Sequence, residues 1–454
     1  MKIKIISVGI LLSILSLPAL AQILSAGSGH SMKICANGTL EATGENGYGQ
    51  LGIGNISDMT TPVASNITAT VKAVACGEWH TIALKSDGTV WVWGDNFSGQ
   101  LGQGNNNDSK TPIKVNSLSG VTAIAAGLGS CMALKSDGTV WAWGLNLGGQ
   151  LGNGNNNDAT VPVQVTGMNN VKAIACGYQT GYAVKNDGTV WAWGRNISGE
   201  CGNGTQLNTN VPVQVTGLNN IKSICAGNRH ALALLMDGTV KVWGDNNACQ
   251  AGQGIAGGSY STPVLIPSLS GVMAIGAAEN NTCVVKNDGT LWVCGNNNYG
   301  QLGNGVTGGP DEPDLKKVTA LSGIKGVTGG VGYILALKND NTVMAFGQNL
   351  SGCFGNTNSN VPVAMGGCNV AVGLNKVSAE KSEMKIYPNP ATGKFYIDFS
   401  SREMNLEVYN MTGQRILEQE LTKNEIDLSG FPKGFYMLKI YNQEEVIFKK
   451  ILLQ

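Results

Sequence analysis

The stretch Asp-Gly-Thr-Val-Trp-Val-Trp-Gly at Asp87–Gly94 returns at regular intervals along this chain of 454 residues. Near-copies lie at Asp137–Gly144 and Asp187–Gly194. When the weaker copies are included, the second residue of each falls at Gly38, Gly88, Gly138, Gly188, Gly238, Gly289 and Asn341. The intervals are 50, 50, 50, 50, 51 and 52 residues. Seven copies of one unit at this period predict a solenoid, a propeller or an array.

The second unit shows what each copy builds. We predict strands at Val71–Ala75, His80–Lys85, Thr89–Trp93 and Pro112–Val115, and Asp87-Gly88 favours a tight hairpin turn. Valine and tryptophan alternate in the third strand, so both faces of the sheet are apolar and both must be covered. Four-stranded sheets that cover one another on both faces are the blades of a propeller.

The two ends of the repeat region favour a ring over a linear stack. A linear stack needs polar capping units, whereas Ile23–Ala26 and Val361–Met365 have the pattern of ordinary strands of the unit. We therefore expect an all-β fold with a seven-bladed propeller over residues 22–373. We also expect strands from opposite chain ends to complete one blade.

The first 21 residues have the pattern of a signal peptide. Lys2 and Lys4 precede the apolar run Ile5–Leu17, and Ala19–Ala21 is a suitable cleavage site. The run is shorter than the roughly 20 apolar residues of a membrane-spanning helix. We expect residues 1–21 to direct export to the periplasm, with Gln22 as the new N-terminus and no transmembrane helix in the mature chain.

The composition changes towards the C-terminus. Residues 381–454 hold 10 basic and 10 acidic side chains, although the whole chain has only 30 of each. Residues 374–383 are polar and lack periodicity, which is typical of a linker. Strands are then predicted at Lys394–Phe399, Asn405–Tyr409, Arg415–Leu421, Gly434–Tyr441 and Val446–Leu452. Short strands over residues 384–454 predict a small β-sandwich.

Motifs in this last segment carry a family resemblance. They are Tyr387-Pro388-Asn389-Pro390, Gly393-Lys394-Phe395, Val408–Gln414 around Gly413, and Gly434-Phe435-Tyr436. In this order they resemble the C-terminal sorting domain of type IX secretion, the Por system. The resemblance implies that the type IX secretion machinery exports the chain across the outer membrane of a Bacteroidota-type cell. The protein would then be secreted or held at the outer cell surface.

The repeats carry a second resemblance. Gly77–Leu84, Asp87–Gly94 and Gly99–Gly104 together resemble the RCC1-type repeat, named after the regulator of chromosome condensation. The resemblance implies a propeller over about residues 22–373. The founder's nucleotide exchange and chromatin binding are not carried over, because this chain is neutral and has a signal peptide. Nucleic-acid binding needs a basic patch, so we expect no nucleic-acid partner.

The residues that could bind a metal or a cofactor favour a structural interpretation. Eleven cysteines include no Cys-x-x-Cys pair, so we expect mostly buried thiols and leave one or two disulfides open. His30, His80 and His230 share one repeat position, where each can hold the turn before the second strand. A three-histidine metal site is the alternative, but these units are not consecutive. We assign no catalytic residue, metal or cofactor.

Function should lie where the repeats differ at a fixed position. One such set precedes the second strand, and its candidate ligand-binding residues are Glu78, Trp79, Tyr178, Gln179, Asn228, Arg229, Glu279 and Asn280. Trp79, Tyr178 and Arg229 are of the types enriched in binding hot spots. A second set follows the third strand and comprises Asp95, Phe97, Leu145, Leu147, Arg195, Ile197 and Asp245.

These observations predict a secreted or cell-surface binding module that recognises a protein or a glycan through one loop face of the ring. Two alternatives remain open. The chain could be a polysaccharide-acting lyase or hydrolase that uses the central pocket with His80 or Glu78, or it could inhibit a secreted enzyme.

Overall fold

The computed structural model describes residues 23–68, 70–267, 269–355, 358–370, 386–387, 391–397, 405–410, 414–421, 425–441 and 446–454. The signal peptide and linker predicted at residues 1–21 and 374–383 lie outside them. The chain divides into two compact units, one ending at Asn375 and the other beginning at Lys376. Among the described residues, no helix has the length and apolar character needed to cross a membrane.

Over its described residues the first unit consists of seven four-stranded antiparallel sheets, blades 1 to 7. Blade 1 has β1 (Leu24–Ala26), β2 (His30–Ile34), β3 (Leu40–Gly44) and β4 (Met59–Ala64). Blade 2 has β5 (Val71–Cys76), β6 (His80–Lys85), β7 (Val90–Gly94) and β8 (Ser109–Lys114). Blade 3 has β9 (Val121–Ala126), β10 (Ser130–Lys135), β11 (Val140–Gly144) and β12 (Ala159–Gln164). Blade 4 has β13 (Val171–Cys176), β14 (Thr180–Lys185), β15 (Val190–Gly194) and β16 (Thr209–Gln214).

The remaining blades follow the same order. Blade 5 has β17 (Ile221–Ala226), β18 (His230–Leu235), β19 (Val240–Asp245) and β20 (Ser259–Leu265). Blade 6 has β21 (Val272–Ala278), β22 (Asn281–Lys286), β23 (Leu291–Gly295) and β24 (Glu312–Lys317). Blade 7 has β25 (Ile324–Gly329), β26 (Tyr333–Lys338), β27 (Val343–Gly347) and β28 (Ser359–Ala364), with a short 3₁₀ turn at Leu350–Gly352.

The repeated sequence explains the repeated blade. Asp87 Oδ1 accepts a hydrogen bond from the Thr89 backbone nitrogen at 2.9 Å, and Gly88 has a φ of 79°, which fits the predicted Asp-Gly hairpin. At Gly94, with a φ of 103°, an added Cβ would lie 2.4 Å from the Trp79 carbonyl oxygen. Only glycine therefore fits at this point, where the end of the third strand lies against the turn that precedes the second strand.

In blades 2 to 5, the tryptophan directly before the glycine that ends the repeated motif joins its blade to the preceding one. Trp93 is fully buried, and its Nε1 donates a hydrogen bond to the Gln50 carbonyl of blade 1 at 2.8 Å. Trp143 makes the same bond to the Gln100 carbonyl of blade 2 at 2.8 Å. The prediction that neighbouring sheets cover the apolar faces is confirmed, and the core forms a series of clusters between blades.

Ring closure differs from our expectation. Every blade consists of four consecutive strands, so the predicted blade with strands from both chain ends is wrong. Among the described residues of the first unit, the seven four-stranded blades account for all named strands. Blades 1 and 7 are joined by the Cys35–Cys368 disulfide, by a bond from the Ala36 nitrogen to the Asn369 carbonyl at 3.1 Å, and by Lys33 Nζ donating to the Cys368 carbonyl at 2.9 Å.

The second unit is a small β-sandwich, as the sequence predicts. One sheet contains β29 (Ile386–Tyr387), β30 (Lys394–Ile397) and β33 (Glu425–Asp427). The other contains β31 (Asn405–Asn410), β32 (Arg415–Glu420), β34 (Gly434–Tyr441) and β35 (Val446–Leu453). The two sheets bury a shared apolar core that includes Phe395, Leu406 and Leu438. Within the described residues these two sheets are separate from those of the repeats.

Candidate functional site

The two variable sets lie at the same end of the blades, which we call the loop face. In an antiparallel meander the turn after the first strand and the loop after the third emerge at one edge. Backbone bonds join them directly. The Asp95 nitrogen donates to the Trp79 carbonyl at 2.9 Å, Arg195 to Gln179 at 2.9 Å, and Asp245 to Arg229 at 2.8 Å.

A belt of backbone hydrogen bonds links the turns of all seven blades around the axis. The successive donor nitrogens and acceptor carbonyls, with their distances, are Ser28 to Glu78 at 3.3 Å, Glu78 to Leu128 at 3.1 Å, Leu128 to Tyr178 at 2.9 Å, Tyr178 to Asn228 at 3.3 Å, Asn228 to Glu279 at 2.9 Å, Glu279 to Gly330 at 3.1 Å and Val331 to Gly27 at 3.3 Å. The last bond closes the ring from blade 7 to blade 1. The turns are therefore held in fixed positions relative to one another.

The mouth of the axis holds a cavity of about 220 Å³. Four of the predicted residues line it, namely Glu78, Tyr178, Asn228 and Glu279. The other four, Trp79, Gln179, Arg229 and Asn280, do not line it, because each lies one residue further along its turn. Below the mouth, a cavity of about 260 Å³ is lined by the first strands of all seven blades, with Lys222 and Met273 among its walls.

Three carboxylates gather where blades 1 and 2 meet on the loop face. Burial, together with charge repulsion from Asp95 and Glu45, raises the pKa of Glu78 to about 7. Burial also raises the pKa of Asp95 and of Glu45. Among the described residues none of the three has an ion-pair partner within 4.0 Å. This side of the loop face is therefore acidic, and no described basic side chain pairs with its three carboxylates.

Blades 4 and 5 give the opposite side of the face a different charge. Arg195 Nε lies 3.4 Å from Glu200 Oε1, and Arg229 is exposed. Burial raises the pKa of Glu279, and the nearby Arg229 lowers it. The pKa of Tyr178 is raised by burial and by Glu78 and Glu279. The tyrosine therefore lies within electrostatic reach of both sides of the mouth.

Aromatic and apolar side chains complete the face. Trp79 stacks on Tyr48 of blade 1, with ring centroids 5.4 Å apart and planes at 29°. Sequence reasoning missed Tyr48, because only the ring arrangement places it beside Trp79. Its repeat position, two residues after the recurring Asn46, was the available signal. Phe97, Leu147 and Ile197 of the second set are exposed.

The recurring asparagines hold the loops that carry these side chains. Asn96 Oδ1 accepts from the Leu101 nitrogen at 2.8 Å, and its Nδ2 donates to the Asn105 and Asn107 carbonyls at 3.0 and 2.9 Å. Asn146 makes the equivalent bonds in blade 3. The Asn tracts after them are therefore parts of braced loops.

The histidines are buried beneath the loop face. Each ring packs against the glycine of its own turn, but the side-chain hydrogen bonds of His30 and His80 reach the next blade. His30 Nε2 lies 3.0 Å from Thr81 Oγ1, and His80 Nε2 lies 3.2 Å from Cys131 Sγ. Burial lowers the pKa of His30 to about 3 and those of His80 and His230 to about 4. His30 and His80 therefore connect blades as neutral residues, whereas neither ring nitrogen of His230 has a hydrogen-bond partner in the described structure.

The cysteines divide into one pair and nine thiols in the described structure. Cys35 and Cys368 are bonded, and most of the others are buried. Burial raises the pKa of Cys76 and Cys176 to about 12, so these thiols are weak nucleophiles. Cys35 and Cys368 also lie near Glu41 in a metal-like grouping, but the disulfide leaves no thiolate to bind an ion.

The predicted sorting motif is described only in part. Tyr387 stacks on Tyr396, with centroids 6.0 Å apart, and Gly434 begins β34. Pro388, Asn389, Pro390 and Gly413 lie outside the described residues.

The ring of blades and its single variable face define the class of protein, which is a β-propeller. The family description "Regulator of chromosome condensation (RCC1) repeat" matches residues 37–84, 87–134, 137–184, 187–234 and 288–337. A second description of this repeat matches residues 71–100, 121–150, 171–200, 221–250 and 274–301. "Secretion system C-terminal sorting domain" matches residues 385–454. The chain belongs to the RCC1-repeat family and ends in such a sorting domain.

Solved structures show the same fold. Yeast RCC1 (Prp20) bound to Kap60 is 23% identical with a TM-score of 0.65, over 76% of this chain and 85% of that one. Prp20p from Saccharomyces cerevisiae is 23% identical with a TM-score of 0.66, over 76% and 88%. Human WBSCR16 is 25% identical with a TM-score of 0.61, over 68% and 84%. The sorting domain indicates export by type IX secretion to the cell surface or the extracellular space.

Proposed function

We propose that this secreted propeller is a binding module that recognises an extracellular protein or glycan through its loop face. The observation that carries the proposal is the contrast between scaffold and face. Tryptophan, asparagine and glycine recur in almost every blade, whereas the side chains around the mouth differ from blade to blade. The backbone belt holds these differing side chains in place, which lowers the entropy lost on binding.

The residues proposed to contact the ligand are the eight named from the sequence. Glu78, Tyr178, Asn228 and Glu279 surround the mouth, and Trp79, Gln179, Arg229 and Asn280 belong to the same turns. The Prp20p structure is reported with binding to Gsp1p and histones, so that relative uses this fold as a binding scaffold. We also propose the domain limits 22–373 and 384–454, with a removable signal peptide at 1–21.

A triple variant tests the site. Trp79→Ala, Tyr178→Ala and Arg229→Ala together should abolish capture of the ligand from an array of purified polysaccharides and secreted proteins. Each hot-spot side chain contributes about 2 kcal/mol or more. The melting temperature should change little, because all three side chains are at least partly exposed. Capture equal to that of the unaltered chain would reject the site.

The enzyme alternative receives little support from the site. His80 is fully buried and faces Cys131 in the next blade, so its imidazole does not reach the cavity. Glu78 lines the mouth with a pKa of about 7, which suits a general acid. Turnover of a polysaccharide or peptide that is lost on Glu78→Gln would favour this alternative.

A further inference from the structure

Three exposed apolar side chains occupy equivalent positions in consecutive blades. Phe97, Leu147 and Ile197 are 84%, 73% and 53% exposed, and we call them the apolar crescent. Blades 1, 5 and 6 have Gly47, Asn247 and Asn298 at this position. The scaffold therefore does not require a large apolar residue there. Large exposed apolar patches mark interaction surfaces, and three such side chains at one repeat position of neighbouring blades make this part of the loop face a candidate.

The backbone beneath the crescent is braced and continuous. Asn106 Nδ2 donates to the Phe97 carbonyl at 2.8 Å, and Asn156 Nδ2 donates to the Leu147 carbonyl at 3.3 Å. A Cβ added to Gly148 would lie 3.3 Å from the Arg195 nitrogen, so the loop of blade 3 directly adjoins that of blade 4. A partner would meet a surface that is already ordered.

Blade 3 lacks a buried side-chain hydrogen bond that blades 2 and 5 make beneath this surface. In blade 2, Gln100 Nε2 donates to the Asp95 carboxylate, and Gln250 donates to Asp245 in blade 5 at 3.3 Å. Blade 3 has Leu145 at the carboxylate position. Gln150 Nε2 is buried without a hydrogen-bond partner in the described structure, and so is Gln50 Nε2 of blade 1, where Glu45 holds the carboxylate position. Leu145 cannot accept the hydrogen bond that the aspartates of blades 2 and 5 accept, and an unpaired buried donor costs about 1–3 kcal/mol.

The charges at the two ends of the crescent indicate what covers it. Asp95 adjoins Phe97, whose nitrogen donates to Asp95 Oδ1 at 3.3 Å, and Glu78 and Glu45 are nearby. These carboxylates lack an ion-pair partner among the described residues, whereas Arg195 adjoins the far end. A cationic group at the blade 1–2 end would be attracted and would relieve the repulsion among the three carboxylates.

We infer that the crescent docks a segment of another protein, which packs apolar side chains on Phe97, Leu147 and Ile197 and places a lysine or arginine against Glu78, Glu45 and Asp95. The inference rests on the proposed function and adds the class of partner. Leucine and isoleucine surfaces gain free energy by burying apolar area. The hydroxyl groups of a glycan would be desolvated on such a surface without hydrogen bonds.

The test uses the full chain and synthetic peptides of 12 residues. One set carries a lysine followed by alternating leucine and phenylalanine, and sister sets carry glutamate or glutamine instead of the lysine. Fluorescence anisotropy compares the unaltered chain with Phe97→Ser, Leu147→Ser and Ile197→Ser combined. Met236→Ser is the matched control, because Met236 is 58% exposed but lies at the β18–β19 turn on the opposite edge.

We call the chain with Phe97→Ser, Leu147→Ser and Ile197→Ser combined the crescent variant. The unaltered chain and the Met236→Ser variant should bind the lysine peptides about tenfold more tightly than the crescent variant does. Glutamate peptides should bind about tenfold more weakly than lysine peptides, and Glu45→Gln with Glu78→Gln should remove the preference for lysine over glutamine. Equal peptide binding by the crescent variant and the unaltered chain would overturn the inference.

Purified neutral and acidic polysaccharides form the second arm. One outcome is that a polysaccharide binds the unaltered chain and the crescent variant but not the chain with Trp79, Tyr178 and Arg229 changed to alanine. In that case the inferred partner class is wrong and the proposed binding function stands. If neither peptides nor polysaccharides bind, both the inference and the proposed function fail.

Discussion

At the residue scale, burial and neighbouring carboxylates together make Glu78 unusual. Its pKa is raised to about 7 from an ordinary 4.5, so the folded chain retains a proton that the unfolded chain loses. Stability is therefore lost as pH rises from about 4.5 to about 7, and the full penalty persists above that range. The buried histidines act at the acidic end. Their lowered pKa values mean that stability is lost as pH falls from 6.5 towards about 4.

Glu78→Gln should raise the free energy of unfolding at pH 8 by about 1 kcal/mol, after allowance for solvent screening. At pH 4.5 or below it should have little effect. Urea denaturation at both values measures the difference, with Asp314→Asn, an exposed carboxylate at 59%, as the control. A gain of the same size at both values would contradict the assigned repulsion.

His230→Asn should reduce the loss of stability between pH 6.5 and pH 4, because Asn281 holds the same repeat position in blade 6 without titrating. A reduction of about 1–3 kcal/mol is expected. Thermal melts across this range provide the measurement. Curves that remain parallel to those of the unaltered chain would show that His230 is not the group being protonated.

At the element scale, the two tryptophans of the third strand make different contacts. Trp143 is fully buried and donates to the Gln100 carbonyl of the preceding blade at 2.8 Å. Trp141 is half-buried, donates to Thr139 Oγ1 of its own hairpin at 3.2 Å, and has Lys135 Nζ 5.8 Å from its ring centroid. The first tryptophan therefore joins blades, and the second covers a hairpin.

Trp143→Phe should lower the free energy of unfolding by about 1–3 kcal/mol, since it removes the indole donor to the buried Gln100 carbonyl, leaves only the weaker Cys131 Sγ donor, and removes part of a packed ring. Trp141→Phe, the matched control in the same strand, should cost less than about 1 kcal/mol. Urea denaturation of the two variants compares them directly. Equal costs would show that the bond between blades adds nothing.

At the scale of the whole molecule, the ring is closed by one covalent bond between blades that share no strand. Cys35 and Cys368 are separated by 333 residues. Lys33, Glu41 and the carbonyls after β28 surround this junction, and the Cys368 nitrogen donates to Glu41 Oε2 at 2.9 Å. Opening the disulfide would leave non-covalent contacts between blades 1 and 7, which include these polar contacts, the belt and the hydrogen bond from Tyr333 Oη to the His30 carbonyl at 2.8 Å.

Cys35→Ser with Cys368→Ser should destabilise the propeller by about 2–5 kcal/mol, chiefly because the unfolded chain is no longer cross-linked. Dithiothreitol should lower the melting temperature of the unaltered chain to that of the double variant. The double variant itself should not respond to the reductant. A response there would implicate another cysteine.

Local periodicity was enough to predict the seven units, the strands and turns of each, the tryptophans shielded between sheets and the C-terminal sandwich. Those features depend on residues within one repeat or one neighbour away. Which of Glu78 and Trp79 faces the axis, which aromatic lies against Trp79, and how blades 1 and 7 meet depend on contacts between residues 31 to 333 positions apart, from Tyr48–Trp79 to Cys35–Cys368. Only the closed ring decided them, because the angle between blades sets which loops become neighbours.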